Sequence, residues 1–382
     1  MKQIIGLWAA LLLLPTPALA QTHRHPQGGI HLSLWPGLST GRVDTLRTTS
    51  FNLGLVSRLH RLEGVGINLL GGITAADVRG LQAAGLFQLT GGRLTGVQLS
   101  GITGVVSQSA SGIALAGLVQ IAGGHARGVT IAGLTNIVGE DGDGVMTGGL
   151  INFIGKNGSG LHLAGVASLV GDRFTGLSVT GLLNIAGDRM QGVQLSGLIN
   201  ITGQLRGLQL APFNLAETGT GIQIGLVNYS RKAFKGVRLG LINATPQTRL
   251  QLMLLGGTRT KLNAALRFKN RRSYTVVGAG YPYGGFDEGF SGSLFYRAGL
   301  YLPLSGRLTL SGDVGYQHLE TFRATASRPR RFFALQGRVN LEYPLGKQIA
   351  LLLSGGYGAS RAYNRRGFFD PGLLAEAGVV LF

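Results

Sequence analysis

Gly192-Val-Gln-Leu-Ser-Gly197-Leu-Ile-Asn-Ile-Thr-Gly203 is one unit of a pattern that recurs along the middle of this chain and decides how that part folds. A first glycine recurs every sixteen residues at Gly80, Gly96, Gly112, Gly128, Gly144, Gly160, Gly176 and Gly192. A second glycine follows five residues later each time, from Gly85 and Gly101 to Gly181 and Gly197. The spacing then shortens to 15, 14 and 15 at Gly207, Gly221 and Gly236, and a degenerate unit begins at Gly64. Self-similarity at a fixed short period is the signature of a stacked repeat.

Each position in the unit has its own chemistry. The residue after the second glycine is aliphatic throughout: Leu86, Ile102, Leu118, Leu134, Leu150, Val166, Leu182, Leu198. Two residues later the position turns polar, with Gln88, Gln120, Asn136, Asn152, Ser168, Asn184 and Asn200, and Gly104 as the exception. The last four or five positions vary and read as turns. β-Branched residues in alternation favour strands, and glycine supplies the positive-φ turns between them.

Two architectures fit. In a parallel β-solenoid each unit is one coil, like residues stack about 4.8 Å apart, and Asn136, Asn152, Asn184 and Asn200 line up as an amide ladder. About eleven coils would make a rod roughly 50 Å long. In one large transmembrane β-barrel each unit is instead an antiparallel strand of about eleven residues plus a turn. In that case Val193, Leu195, Gly197, Ile199 and Ile201 would face lipid while Gln194, Ser196, Asn200 and Thr202 faced the lumen, with Leu198 out of place. The solenoid is preferred. An antiparallel meander would show a 32-residue super-period from its two kinds of turn, and none is visible. Residues 64–206 also hold only Phe87, Phe153 and Phe174 as aromatics, where spanning strands carry aromatic girdles.

Composition agrees with tightly turned β-structure. Glycine supplies 65 of 382 residues and charged residues only 13%, against roughly 7% glycine in ordinary proteins. There is no cysteine, which excludes disulfides, thiolate catalysis, cysteine metal sites and a lipid-anchored form. The N-terminus reads as a secretory signal peptide, residues 1–20: Lys2, an apolar run from Ile4 to Leu14, and the cleavage motif Ala18-Leu-Ala20. No later apolar run is long enough for a transmembrane helix. Residues 21–63 read as a lead-in or capping segment, 64–247 as the repeat region and 248–382 as a separate C-terminal domain.

That domain alternates strictly. Leu262, Ala264, Leu266 and Phe268 oppose Lys261, Asn263 and Arg267. Leu308, Leu310, Val314 and Tyr316 oppose Arg307, Thr309, Ser311, Asp313 and Gln317. Phe333, Leu335, Val339, Leu341 and Tyr343 oppose Gln336, Arg338, Asn340 and Glu342. Eight such segments are expected near 249–257, 260–269, 272–281, 291–303, 306–318, 331–344, 347–358 and 371–382. An even number of strands with one apolar face predicts a small antiparallel, eight-stranded β-barrel. The chain closes on Val379-Val380-Leu381-Phe382, and a terminal aromatic on an alternating strand resembles the assembly signal of bacterial outer-membrane barrels. Arg267, Arg338, Asp313 and Glu342 are expected to form a charge network inside the barrel, because eight strands leave no open channel.

The units Gly207-Leu-Gln-Leu, Gly221-Ile-Gln-Ile-Gly-Leu-Val-Asn228 and Gly236-Val-Arg-Leu-Gly-Leu-Ile-Asn243 resemble those of bacterial surface-repeat proteins built from Gly-Leu-Gln-Leu-Gly-Leu-Val-Asn units. Trp35-Pro-Gly-Leu-Ser-Thr40 resembles the start of such chains. The likeness covers roughly Trp35 to Ala244. It implies a cell-envelope location and carries no catalytic residues to transfer.

Candidate chemistry is sparse. Asp172 and Asp188 occupy one position in adjacent units, each followed by Arg173 or Arg189. They read as a turn ladder whose arginines offset carboxylate repulsion, rather than as an acidic catalytic pair. Glu140, Asp141 and Asp143 read as a solvated acidic turn, since the loop lacks both the EF-hand pattern and the nonapeptide of calcium-binding β-rolls. His23 and His25 have no third ligand near them in the sequence. No catalytic, cofactor or metal site is expected, and the glycines of the repeat are structural. The net charge of +19 is concentrated between Ser230 and Phe382, with 22 Lys and Arg against 7 Asp and Glu. It reads as a solvated basic rim or as a surface for anionic lipid and lipopolysaccharide phosphates. An exported chain sets nucleic acid aside. The sequence therefore predicts an exported protein of the outer membrane or cell surface, with a structural or interaction role and no enzymatic activity. A periplasmic address, a pore or transport barrel, and a carbohydrate-active solenoid are the alternatives.

Overall fold

A computed structural model describes residues 27–40, 48–232, 234–282, 291–304, 307–321, 331–363 and 370–382. The segment expected to be a signal peptide, His23 and His25 lie outside them. The described part is all-β: a parallel β-solenoid of about 12 turns followed by a closed antiparallel barrel of eight strands. The single large barrel is thereby ruled out.

In the middle of the solenoid each coil contributes two short strands. Ala110–Ala116, Ala126–Ala132, Gly142–Gly148 and Gly158–Ala164 stack in parallel register, with Gly112 on Gly128, Gly128 on Gly144 and Gly144 on Gly160. Val119–Ala122, Thr135–Val138 and Ile151–Ile154 stack likewise on the second face, with Asn136 on Asn152. Parallel stacking begins before Gly64. Gln27–Trp35 pairs with Thr48–Leu59, and Thr48–Leu59 with Arg61–Thr74, so the expected lead-in already contributes coils.

Both glycine positions are steric, but for different reasons. The first glycines have positive φ, from 98° at Gly160 to 137° at Gly176, a conformation that costs glycine little. A Cβ at Gly144 would also lie 2.2 Å from the Gly128 carbonyl oxygen. The second glycines are not in the positive-φ region. They are needed for closeness alone, since a Cβ at Gly149 would sit 1.8 Å from the Gly133 carbonyl. The shorter units lose residues only at corners. One deletion falls in the variable turn between Ala186 and Arg189. The other falls where Ala211 and Pro212 replace the usual glycine corner, between the Leu195–Leu210 and Ile199–Phe213 pairs.

The barrel strands are Arg249–Gly257, Thr260–Lys269, Ser273–Pro282, Ser291–Pro303, Thr309–Thr321, Arg331–Pro344, Ile349–Ala362 and Asp370–Leu381. Pairing of the first with the last, Leu252 opposite Leu381 through Gly257 opposite Glu376, closes the ring. The last solenoid coil touches the barrel: the Tyr296 hydroxyl donates to the Gly240 carbonyl at 2.6 Å, and Asn270 Nδ2 donates to the Asn243 carbonyl at 2.6 Å.

Candidate functional site

The barrel has the polarity of an ordinary soluble core turned inside out. Alternation sends Leu250, Leu252, Leu300, Leu335, Val339 and Leu353 outward, where they are exposed, and sends Gln251, Arg267, Arg297, Asp313, Arg338 and Glu376 inward, where they are buried. Buried charge is tolerated only when paired and hydrogen-bonded; each of these charged side chains finds a partner within the lumen, with Arg267 Nη2, Arg297 Nε, Arg338 Nε and Asp313 Oδ1 left without a hydrogen bond. Arg267 Nη1 donates to Glu342 at 2.7 Å and its Nε to Gln251 at 2.8 Å. Arg297 grips Glu376 with both terminal nitrogens, at 2.8 and 2.9 Å. Arg338 reaches the same carboxylate at 3.3 Å and lies 3.9 Å from Asp313. Asp313 also accepts from the Tyr274 hydroxyl at 2.7 Å and from Asn340 Nδ2 at 2.6 Å. Beside these pairs, Met253, Leu255, Val276, Phe295, Leu352 and Val380 pack as an apolar cluster.

Arg267, Arg338, Asp313 and Glu342 therefore share the lumen as expected from sequence. Arg297 and Glu376 were not anticipated, although two nitrogens of the guanidinium meet both carboxylate oxygens. Their signal was present in the alternation of their strands, Ser293 and Arg297 in one, Leu374 and Glu376 in the other. Phe382 lies just past the last strand. Its N–H donates to the Gln348 carbonyl at 2.9 Å, and its ring is 6.0 Å from Lys269 Nζ. It is thus beside the final strand's end rather than within it.

The solenoid repeats the inversion in milder form. Nearest the variable turn the core is apolar, with Leu94, Val106, Ile154, Phe174 and Met190 buried together. Farther in stand two amide columns. In the expected one, Asn136 Nδ2 donates to Asn152 Oδ1 at 2.8 Å. The column resumes from Asn200 to Asn214, Asn228 and Asn243 at 2.8–3.0 Å. It is broken between these runs: Ser168 interrupts it, and Asn184 bonds Ser178 and Gln194 instead. The second column was missed in the sequence although it recurs two residues after the first glycine. Gln82 donates to Gln98 at 2.9 Å, and Gln223 to Gln209 to Gln194 at 2.8 Å each. His162 stands in this column, and burial lowers its pKa to about 4, so it is neutral.

Every charged residue from Gly64 to Ala244 except Arg238 falls within the five residues that precede a first glycine. There the charges pair between coils. Arg173 meets Asp188 at 3.4 Å, so the Asp172 and Asp188 position is a turn ladder. Lys156 meets Glu140 at 2.8 Å, which holds the Glu140 carboxyl below its usual pKa. Asp141 accepts from Asn157, and Asp143 from Ser159 at 2.6 Å. Among the described residues no group of three or more side chains is placed to hold a metal. Gly80, Gly96, Gly112, Gly128, Gly144, Gly160, Gly176 and Gly192 form one backbone column and offer no side-chain chemistry.

The opposite edge is a ridge. Leu86, Ile102, Leu118, Leu134, Leu150, Val166, Leu182 and Leu198 stand exposed in line, one per coil, between 36% and 50% accessible. Searches against protein-family models, curated proteins and solved structures find no match to this chain.

Proposed function

We propose that this protein is an integral outer-membrane protein of a bacterium, with a structural or interaction role and no catalytic activity. The observation that carries the reading is the inverted barrel: aliphatic side chains outside, paired arginines and carboxylates inside. Water on both sides would favour the reverse arrangement, because full burial of each such aliphatic is worth roughly 1.5–3 kcal/mol. Hydrocarbon outside removes that conflict, and a closed ring leaves no unpaired strand edge to face it.

Further features support the same reading. Exposed Tyr343 and Tyr363 stand near opposite rims, where aromatic belts fall. The strand ends on one rim are joined by 270–272, 304–308 and 345–348 and those on the other by 258–259, 283–290, 322–330 and 363–369, three of the latter longer in sequence than any on the first rim. Outer-membrane barrels pair short periplasmic turns with longer external loops. The ion pairs that fill the lumen favour an anchor over a pore.

Cell fractionation of the expressing bacterium tests the reading. Recovery with the outer membrane, and a barrel that migrates faster before boiling than after it in SDS gels, is expected. Recovery in the periplasm without detergent would sink the proposal. Planar bilayers containing the purified protein should show no stepwise conductance; regular steps would replace the anchor with a pore.

A further inference from the structure

The ridge of the solenoid has the wrong chemistry for water. A strip at least seven coil-spacings long, and wide enough to include the neighbouring outward residues Ile113, Ile131, Val145 and Leu177, covers on the order of 500 Å² at about 4.8 Å per coil. Contiguous apolar patches on soluble monomers are typically limited to a few hundred Å² and mark interaction surfaces when larger. A turn that met water would also carry polar side chains. This one is Gly-aliphatic in unit after unit, while every charge from Gly64 to Ala244 but Arg238 falls in the five residues before a first glycine.

The backbone of the ridge is also prepared for a dry neighbour. The N–H of Leu118 donates to the Ile102 carbonyl at 2.9 Å, Leu134 to Leu118 at 2.9 Å, and Leu150 to Leu134 at 2.8 Å. Gly117 donates to Ser100 at 3.0 Å and Gly149 to Ala132 at 3.1 Å. Stacking thus satisfies donors that an isolated turn would offer to solvent, the condition for irregular backbone to enter hydrocarbon.

The apolar surface continues onto the barrel. Val237 and Leu239 of the last coil line a groove of about 760 Å³ together with Leu300, Leu302, Val314 and Val339 of the barrel's outer wall. The next residues along the coil are Gly240, bonded to Tyr296 of that wall, and exposed Leu241. A bilayer surrounding the barrel therefore meets the ridge across a mostly apolar groove, in which Arg238 and Asn243 are the polar residues of the last coil.

We infer that the aliphatic ridge of the solenoid is immersed in the acyl chains of the same bilayer that holds the barrel, with the charged edge turned to the headgroups and water. The inference rests on the reading of the barrel as membrane-embedded. The chain enters the barrel at Arg249, on the rim with the short connections, so the leaflet concerned is the periplasmic one and the lipid is phospholipid. The repeats then act as a membrane-lying rail beside the barrel, not as a stalk at the cell surface.

The absence of cysteine makes a direct test available. Leu118→Cys, Leu150→Cys and Leu182→Cys are each labelled with an environment-sensitive fluorophore in the full-length protein and reconstituted into phosphatidylethanolamine–phosphatidylglycerol vesicles. Asp172→Cys reports the charged edge and Leu353→Cys the barrel wall. Lipids bearing a nitroxide on the acyl chain should quench the ridge sites as strongly as Leu353→Cys, and aqueous iodide should quench only Asp172→Cys. Ridge sites that respond to iodide while Leu353→Cys responds to the lipid would overturn the inference and leave the barrel reading standing. A Leu353→Cys label blind to the lipid would overturn both. Efficient oxidative cross-linking of ridge cysteines between copies would assign the ridge to a second chain and would also overturn it.

Discussion

Replacing Asn152 by alanine probes the solenoid where its inverted core is most exposed to error. Asn152 is fully buried. Its Oδ1 accepts from Asn136 at 2.8 Å, and its Nδ2 donates to the Leu163 carbonyl at 2.8 Å and the Met146 carbonyl at 3.3 Å. Asn136 keeps its second acceptor, the Thr147 carbonyl at 2.8 Å, so the main loss falls on Asn152's own bonds. Two good hydrogen bonds at about 0.5–1.5 kcal/mol each, plus about 1 kcal/mol or more for a stranded buried acceptor, put the local cost near 2–4 kcal/mol. At about 1.4 kcal/mol per decade, amide exchange in the affected coils should accelerate by roughly 30- to 1,000-fold. Stacked repeats interact with nearest neighbours, so the acceleration should be confined to peptides spanning about 126–180 and leave the barrel strands unchanged. Hydrogen exchange with mass spectrometry on the full-length protein reads both magnitude and extent. An unchanged rate at 126–180, or an equal increase across the barrel, would refute the amide ladder as a local clamp. Leu150→Ala, which truncates a side chain on the ridge outside, should change exchange there by less than about tenfold.

Gly144→Ala should open the same coils by about 2–4 kcal/mol, since φ is +110° and the added methyl would press on the Gly128 carbonyl; thermal melting followed by far-UV circular dichroism checks it. Glu376→Gln strands Arg297 and Arg338 in the lumen and should cost about 3–5 kcal/mol, seen as loss of the fast-migrating folded band in SDS gels. Arg297→Met combined with Glu376→Met should recover much of that loss. His162 is neutral when folded, with its pKa lowered by burial to about 4 from 6.5. Its contribution is therefore fully present above pH 6.5 and is lost as pH falls toward 4, so acidification from pH 7 to 4.5 should destabilise the neighbouring coils by about 2–3 kcal/mol. Exchange measured at the two pH values, corrected for intrinsic rates, should show this difference, and His162→Met, matching Met146 one coil earlier, should abolish it.

Much of this was legible in the chain. Sixteen-residue glycine spacing fitted a parallel stack or one large barrel, and the missing 32-residue super-period favoured the stack; Gly112 on Gly128 on Gly144 is the outcome. Strict alternation at Leu335, Val339 and Leu341 against Gln336, Arg338 and Asn340 named both faces of a barrel strand. Strand ends shifted by a few residues, as at Thr309–Thr321 against the expected 306–318, because alternation marks faces and not termini. The role of the second glycine was not legible. Gly149 is constrained by a carbonyl from another coil, and no local rule reveals that distance.

The period and the alternation are properties of neighbouring positions along one chain, so the sequence alone favoured a stacked repeat and predicted an alternating barrel after it. Which side of each solenoid strand faces inward could not follow from the period, since a period of two is unchanged when the strand is turned over. Closure of the coils decided it, placing Asn152 and Gln98 within and Leu150 on a ridge. Closure of the barrel likewise brought Arg297 to Glu376 across 79 residues of chain. Those choices depend on the total fit of side chains inside a closed space, and only the tertiary structure specifies that space.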